Sequence, residues 1–264
     1  MVHHSSLIPH PLFPCRLLID PPGDGAWNMA VDETLLEWSA GSGGAALRLY
    51  GWQPATLSLG YFQRYTERAR HAASRECPAV RRPSGGGAIV HDREITYSLV
   101  VPAGHALAVR RRSLYESVHR ALVDALSQWR IAATCCESAA EASAGPQPFL
   151  CFQRRTQGDV LLGQFKIAGS AQRRVRGAVL QHGSVLWARS PAAPELPGVS
   201  DVAATAIALE PLVAAWTERL ARVLGMEWRA SALCDQERVR ADGLKAIRYA
   251  AACWTEHRQR PAPD

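Results

Sequence analysis

Apolar and polar positions alternate over several short runs of this chain. CRLLID (15–20), ALRLYGW (46–52) and TLSLGYF (56–62) have the period of two expected of strands. The second and third of these predict a strand pair joined at Gln53-Pro54. AVRR (79–82), AIVHD (88–92), ITYSLVVP (95–102) and AVLQHGSVLW (178–187) predict further strands, and GDVLLGQFKIAGSAQ (158–172) predicts two that turn at Gly163. Helical spacing marks NMAVDETLLEWS (28–39), with Asn28 as its N-cap, a polar helix at 64–73 and a long amphipathic helix at 112–130. It also marks 211–225, which ends at Gly225, and 241–258. The segments 138–148 and 189–201 are loops of Ala, Ser, Gly and Pro. Strands in runs, with helices before, between and after them, predict an α+β fold built on a mostly antiparallel sheet. One domain over 15–258 is expected, with a loose tail at 1–14 and a short one at 259–264.

Composition narrows the setting. The 264 residues are 47% hydrophobic and 20% charged, enough for a sizeable core. No apolar run is long enough to span a membrane, and MVHHSSLIPHPLFP lacks the pattern of a signal peptide. That stretch reads as a loose tail rich in His and Pro, with a metal role for His3, His4 and His10 as the minor alternative. The seven cysteines form no CxxC pair, so neither a zinc site nor a disulfide framework is expected, and the reducing cytoplasm is the expected compartment. The net charge of +6 fits either an arginine-biased composition or a basic face for an acidic partner. No nucleic-acid motif accompanies the charge. Only Lys166 and Lys245 are lysines, against a background of arginine, so each stands out as a compact ammonium.

The stretch with most chemistry is RRPSGGGAIVHD (81–92). Gly85, Gly86 and Gly87 remove side chains from one wall of a ligand and let backbone amides converge on an oxygen. Arg81 and Arg82 precede them, and His91 and Asp92 follow. No GK[ST] follows and no helix opens after the glycines, so neither a Walker loop nor a dinucleotide loop is formed. A tight hairpin with incidental arginines is the plainer alternative.

RRPSGGGAIVHD resembles the RRxSGGGxxxHD motif of the lipoate–protein ligase and octanoyltransferase family, which is related to biotin ligases. NMAVDETLL (28–36), LRLYGWQPATLSLGYFQ (47–63), KIAGSAQRR (166–174), LQHGS (180–184) and RYAAACWT (248–255) are similar to further motifs of that family, in the same order. The resemblance implies a mixed, mostly antiparallel sheet flanked by helices, as in class II synthetases, with an acyl groove beside the glycine-rich loop. It implies substrate contacts from Arg48, Arg82, Ser84, Gly85, Gly86, Gly87, His91, Gly169, Ser170 and His182, and places Lys166 at the reacting carboxyl carbon.

The family contains ATP-dependent lipoate–protein ligases and octanoyltransferases that take octanoate from acyl carrier protein without a cofactor. Cys151-Phe152, fifteen residues before Lys166, resembles the cysteine-dependent octanoyltransferases of the LipM type, which implies Cys151 and Lys166 as the catalytic pair. A free thiol is only a few per cent thiolate at neutral pH, and a lysine ammonium beside it favours the anion. Backbone amides near Gly169 and Ser170, or in the glycine-rich loop, would hold the oxyanion. One stretch departs from the pattern. Transferases of this type usually carry PSxYEL after CF, whereas Gly158-Asp159 here is closer to the ND pair of ligases, which use ATP and Mg. Three functions stay open: octanoyl transfer, lipoate ligation, and acyl or carrier binding without turnover. For either enzyme the implied acceptor is a lysine of a lipoyl domain, such as that of the glycine-cleavage H protein.

Overall fold

The computed structural model describes residues 12–138 and 147–259. Most of the expected tails and of the 138–148 loop, including His3, His4 and His10, lie outside the described residues. In chain order the elements are β1 (Phe13–Ile19), α1 (Gly25–Ser42), β2 (Ala45–Tyr50), β3 (Thr56–Leu59), β4 (Ala79–Arg81), β5 (Ile89–His91) and β6 (Glu94–Val101). There follow α2 (Ala106–Val109), α3 (Arg111–Ser127), β7 (Ala133–Cys135), β8 (Val160–Leu162), β9 (Phe165–Val175) and β10 (Ala178–Leu186). The chain closes with α4 (Val199–Val202), α5 (Leu209–Leu224), β11 (Met226–Ala230), α6 (Asp235–Leu244) and α7 (Ala252–His257).

The large sheet has the order β11-β1-β2-β6-β10-β9-β8-β7, and a small one has the order β4-β3-β5. From β2 to β7 every neighbouring pair is antiparallel, while β1 runs parallel to both β2 and β11. The α+β class expected from the pattern is therefore the one observed. Among the described residues no helix is long and apolar enough to cross a membrane.

Alternation along the central strands decides what each face does. On β6, Ile95, Tyr97, Leu99 and Val101 point to the core under α3 and α5. Glu94, Thr96 and Ser98 point the other way, yet they too are buried. Register aligns this second face into cross-strand rows. Arg48 pairs with Ser98 and Ser98 with His182, while Tyr50 pairs with Thr96 and Thr96 with Ser184. A strip of polar side chains thus crosses the middle of the sheet. α1 packs over part of that face, with Met29, Val31 and Leu35 in a second core that α6 and α7 complete. The small sheet carries the glycine-rich loop between β4 and β5.

Several local expectations change. α1 begins at Gly25 and is capped by Asp24, whose carboxylate accepts from Trp27 N at 2.8 Å. Asn28 lies inside the helix, where its carboxamide binds the carbonyls of Gly23 and Gly51. β2 and β3 are not a hairpin, because they belong to different sheets. Alternation reports a half-buried strand but not its partner. Residues 65–70 and 72–74 form 3₁₀ turns. The expected helix over 241–258 is α6, a π-turn at Lys245–Tyr249, and α7. The π-turn resets the helical phase so that Arg248 reaches Glu33 and Trp254 Nε1 donates to Arg81 O at 2.9 Å. β7 and β11 were not expected, and Phe13 and Pro14 belong to β1 rather than to a tail.

Trp216 on α5 is wholly buried, meets Tyr97 edge to face and donates to Val118 O at 3.3 Å. Trp216→Ala is expected to cost about 3–5 kcal/mol of stability, read as a lower urea midpoint with an unchanged far-ultraviolet spectrum.

Candidate active site

A mostly apolar cavity opens between the large sheet's polar strip and the glycine-rich loop. Its walls include Met29, Trp52, Ile89, Phe152, Gly85 and Gly86, and it also touches Arg82, His91, Cys151, Gly169, Ser170, His182 and Ser184. A narrow apolar slot with a few polar groups at its rim suits an acyl chain with a reactive head.

Among the three loop glycines only Gly86 uses a positive φ, at 96°. Gly87 is small for another reason. A Cβ there would meet the Cys151 backbone at 3.0–3.1 Å, so the missing side chain admits the Cys151 segment against the loop. That segment is pinned by Cys151 N donating to Ala88 O at 2.7 Å and Ala88 N donating to Phe149 O at 3.1 Å. Among the described residues the amides of Gly85, Gly86 and Gly87 have no protein acceptor.

Cys151 is half-buried, and its Sγ lies 3.8 Å from Lys166 Nζ. Lys166 is 6% exposed and is held by Asp159 Oδ2 at 2.8 Å. Asp159 also accepts from Thr156 N (2.7 Å), Thr156 Oγ1 (3.0 Å) and Tyr115 OH (2.7 Å). Three of these donors meet Oδ2 and one meets Oδ1, so Asp159 fixes the lysine in place. Gly169 lies against Lys166, and a Cβ there would come within 2.9 Å of Nζ.

Arg82 spans the loop from inside. It donates to Ser58 O and Oγ at 3.1 and 3.0 Å, and to Gly85 O and Gly87 O at 2.9 and 2.6 Å. Burial takes its guanidinium down to about 10, with the Cys151 sulfur acting in the opposite direction. It remains a cation at neutral pH, aligned on carbonyls and lining the same cavity as the thiol.

His91 and His182 line the cavity and His119 lies behind Ser170, and each bridges a serine hydroxyl to a fixed acceptor. His182 links Ser84 Oγ (2.5 Å) to Asp32 Oδ2 (3.1 Å). His91 links Ser58 Oγ (2.7 Å) to Glu94 Oε1 (2.6 Å) and stacks on Trp52 with ring centres 3.9 Å apart. His119 links Ser170 Oγ (2.6 Å) to Gly158 O (2.6 Å). Its Nδ1 must donate to that carbonyl, so Nε2 accepts from Ser170. Burial pushes His119 down to about 4, so it is neutral across the physiological range. Burial of Asp32 would raise its carboxyl, but the His182 hydrogen bond and the Arg48 charge hold it below the usual range.

The structure brings together most of the expected residues. Cys151, Arg82, Gly85, Gly86, His91, Gly169, Ser170 and His182 line one cavity, with Lys166 beside the thiol. Three are displaced from the expected role. Arg48 is wholly buried behind the wall, bound to Asp20 Oδ2 (2.7 Å), Asp32 Oδ1 (3.2 Å) and Asn28 Oδ1 (3.0 Å), because its place on β2 faces α1. Ser84 is buried against His182. Gly87 supports Cys151 and does not face the cavity. Sequence reasoning missed Asp32, Trp52, Glu94, Thr96, His119 and Ser184. An acidic residue set between Met29-Ala30-Val31 and Leu35-Leu36, on the apolar stretch of α1, was the available signal for the first.

A mostly antiparallel sheet with an apolar slot beside a glycine-rich loop defines an α+β ligand-binding domain. Residues 24–192 match the family model for the lipoyl protein ligase A/B catalytic domain. The octanoyltransferase LipM of Kyrpidia tusciae is 34% identical over 267 residues, covering 90% of this chain and 97% of that one. The octanoyltransferase LipM of Bacillus subtilis is 36% identical over 169 residues, 61% of each chain. A lipoate-protein ligase A structure with ATP superimposes with a TM-score of 0.74 at 21% identity, covering 92% of this chain and 99% of that one. A bipartite lipoate protein ligase from Thermoplasma acidophilum superimposes with a TM-score of 0.73 at 20% identity, covering 97% and 100%. At those identities the two structures bear on fold alone. The chain belongs to the lipoyl protein ligase A/B catalytic domain family. Its activity is octanoyl transfer in protein lipoylation.

Two expectations follow. Arg48→Met leaves Asp32 buried with one cation fewer, and breaking a buried pair costs about 3–5 kcal/mol; the loss is read from urea unfolding. The second concerns acid. The folded protein keeps His119 neutral down to about 4, whereas the unfolded chain protonates it near the ordinary 6.5. The unfolded state therefore binds the extra proton, and stability falls as pH drops from about 6.5 towards 4, by about 3 kcal/mol in full. His119→Gln should flatten the urea midpoint against pH in that window.

Proposed function

We propose that the chain moves octanoyl from acyl carrier protein to a lysine of a lipoyl domain, such as that of the glycine-cleavage H protein, through a thioester on Cys151. The observation that carries this reading is the 3.8 Å approach of Cys151 Sγ to Lys166 Nζ at the rim of an apolar slot. Residues 15–258 form the catalytic domain in this reading, with Cys151 and Lys166 as its catalytic pair.

In the first step the Cys151 thiolate attacks the thioester carbonyl carbon. The new C–S bond forms, the carrier's C–S bond breaks, and the carrier thiolate takes up a proton. One thioester replaces another, so no cofactor is required. The oxyanion of the tetrahedral intermediate has donors in the amides of Gly85 and Gly86, while the Arg82 cation lies in the same wall. In the second step the neutral amine of the acceptor lysine attacks the acyl-enzyme. A C–N bond forms, Cys151 leaves as the thiolate, and the amine's extra proton passes to water. The Lys166 ammonium faces the sulfur that becomes negative in both steps, and Asp159 prevents it from turning away.

Support for a lipoyl-domain acceptor comes from the Thermoplasma acidophilum ligase, whose structural description pairs it with its E2 lipoyl domain. The ATP-dependent alternative drew on Gly158-Asp159 and on Mg. Asp159 Oδ2 is engaged by Lys166 and Thr156 and Oδ1 by Tyr115, so in the proposed reading this carboxylate serves the lysine.

Incubation with octanoyl carrier protein in the absence of ATP should add one octanoyl group to the intact mass, and Cys151→Ser should abolish it. Lys166→Met should lower transfer by about 10²-fold or more. A Cys151→Ser protein with full transfer activity would refute the mechanism, and pyrophosphate release with free lipoate and ATP would favour ligation.

A further inference from the structure

A second groove shares one wall residue, Ser170, with the acyl cavity. Its walls come from the α2–α3 junction, with Val109, Arg110, Arg111 and Arg112, and from Tyr115, Gln157 and Gln172. The three arginines are exposed, and Val109 is 71% exposed beside them. Arg112 pairs with Glu116 at 2.8 Å. Among the described residues Arg110 and Arg111 have no carboxylate partner. The groove is therefore net positive. The first turn of α3 carries no acidic residue and no side-chain cap, so its amide dipoles have the same sign.

The arginines are also held in register with the chemistry. Gln172 Nε2 donates to Arg111 O at 2.9 Å, and Arg174 donates to Ala108 O. Both residues lie on β9, the strand that carries Lys166. The α2–α3 corner is thus tied by its backbone to the catalytic strand, leaving the guanidinium groups of Arg110 and Arg111 turned to solvent.

We propose that this groove seats the acyl donor: an acidic carrier protein whose thioester hangs on a phosphodiester-linked arm. The phosphodiester rests on Arg110 and Arg111, and the arm passes Ser170 to bring its thioester to Cys151. The proposal rests on the carrier-protein reading given above. The charge selects the donor over the acceptor as occupant. The arm is anionic, and arginines attract it with charge-assisted hydrogen bonds. The acceptor must present a lysine amine, which is a cation before it reacts, and an arginine-lined entrance repels it. Val109 adds an apolar surface for the hydrocarbon part of the arm.

The test compares wild type with the double variant Arg110→Glu/Arg111→Glu, using two donors and one acceptor. Octanoyl carrier protein has the phosphodiester, octanoyl-pantetheine lacks it, and a lipoyl domain accepts. The expected result is a rise in KM for octanoyl carrier protein of about tenfold or more, with kcat nearly unchanged. Turnover of octanoyl-pantetheine and KM for the lipoyl domain should change less than twofold. The wild-type KM for the carrier should climb with salt, and that of the variant should be nearly flat. An unchanged carrier KM overturns the proposal. So does an equal loss with octanoyl-pantetheine, which would mean a structural effect, or a rise in the lipoyl-domain KM alone, which would make this the acceptor surface. Wild-type protein that takes octanoyl from pantetheine but never from the carrier removes the donor assignment itself, a failure visible before any variant is made.

Discussion

Asp32 is the point on which this site depends. Its carboxylate is wholly buried, and burial of an unpartnered charge is prohibitive. Arg48, Tyr50 and His182 answer it, with Tyr50 OH at 2.9 Å. Those partners come from β2 and β10, and Asp32 itself from α1, so one carboxylate fixes the helix against two central strands. His182 then carries the constraint to Ser84 and hence to the glycine-rich loop. The loop can stay free of side chains and still hold one shape, because its anchors lie in the core behind it.

The same economy repeats around the cavity. Each of the three histidines joins a hydroxyl to an immobile acceptor, and the two strings that end on a carboxylate, Ser84–His182–Asp32 and Ser58–His91–Glu94, resemble hydrolase triads on paper. Their burial argues otherwise. Ser84 and Ser58 are 2% and 0% exposed, so neither hydroxyl can reach a bound carbonyl carbon. These strings hold the wall rigid, and the Cys151 sulfur comes from a separate segment that docks against Gly87. A positioned nucleophile with a fixed counter-charge gains more from a stiff wall than from further proton carriers.

Much of this was legible in the sequence, for reasons that can be named. Period-two alternation marked most strands of the large sheet, and the RRPSGGGAIVHD stretch marked the loop, because glycine and arginine have few other reasons to cluster. The rarity of lysine drew attention to Lys166. What stayed hidden was pairing. Nothing in ALRLYGW and TLSLGYF says that they enter different sheets, and nothing in the expected 112–130 helix says that His119 points at Ser170. Arg48 was assigned to the ligand because a conspicuous arginine in a motif invites that role. Its position on β2 turns it towards α1, where Asp20, Asn28 and Asp32 consume its donors. Residue type was visible, and the face on which it lay was not.

The Gly158-Asp159 departure bears most on the chemistry. A buried ammonium needs a carboxylate partner, and Asp159 supplies it at 2.8 Å from Lys166. Paired in this way, the lysine adds no net charge to the core, yet it still aims a donor at Cys151. If Asp159 turned to another partner, Lys166 would lose the contact that fixes it, and its side chain would be free to leave the Cys151 sulfur 3.8 Å away. The residue that looked ligase-like is therefore what aims Lys166 at Cys151.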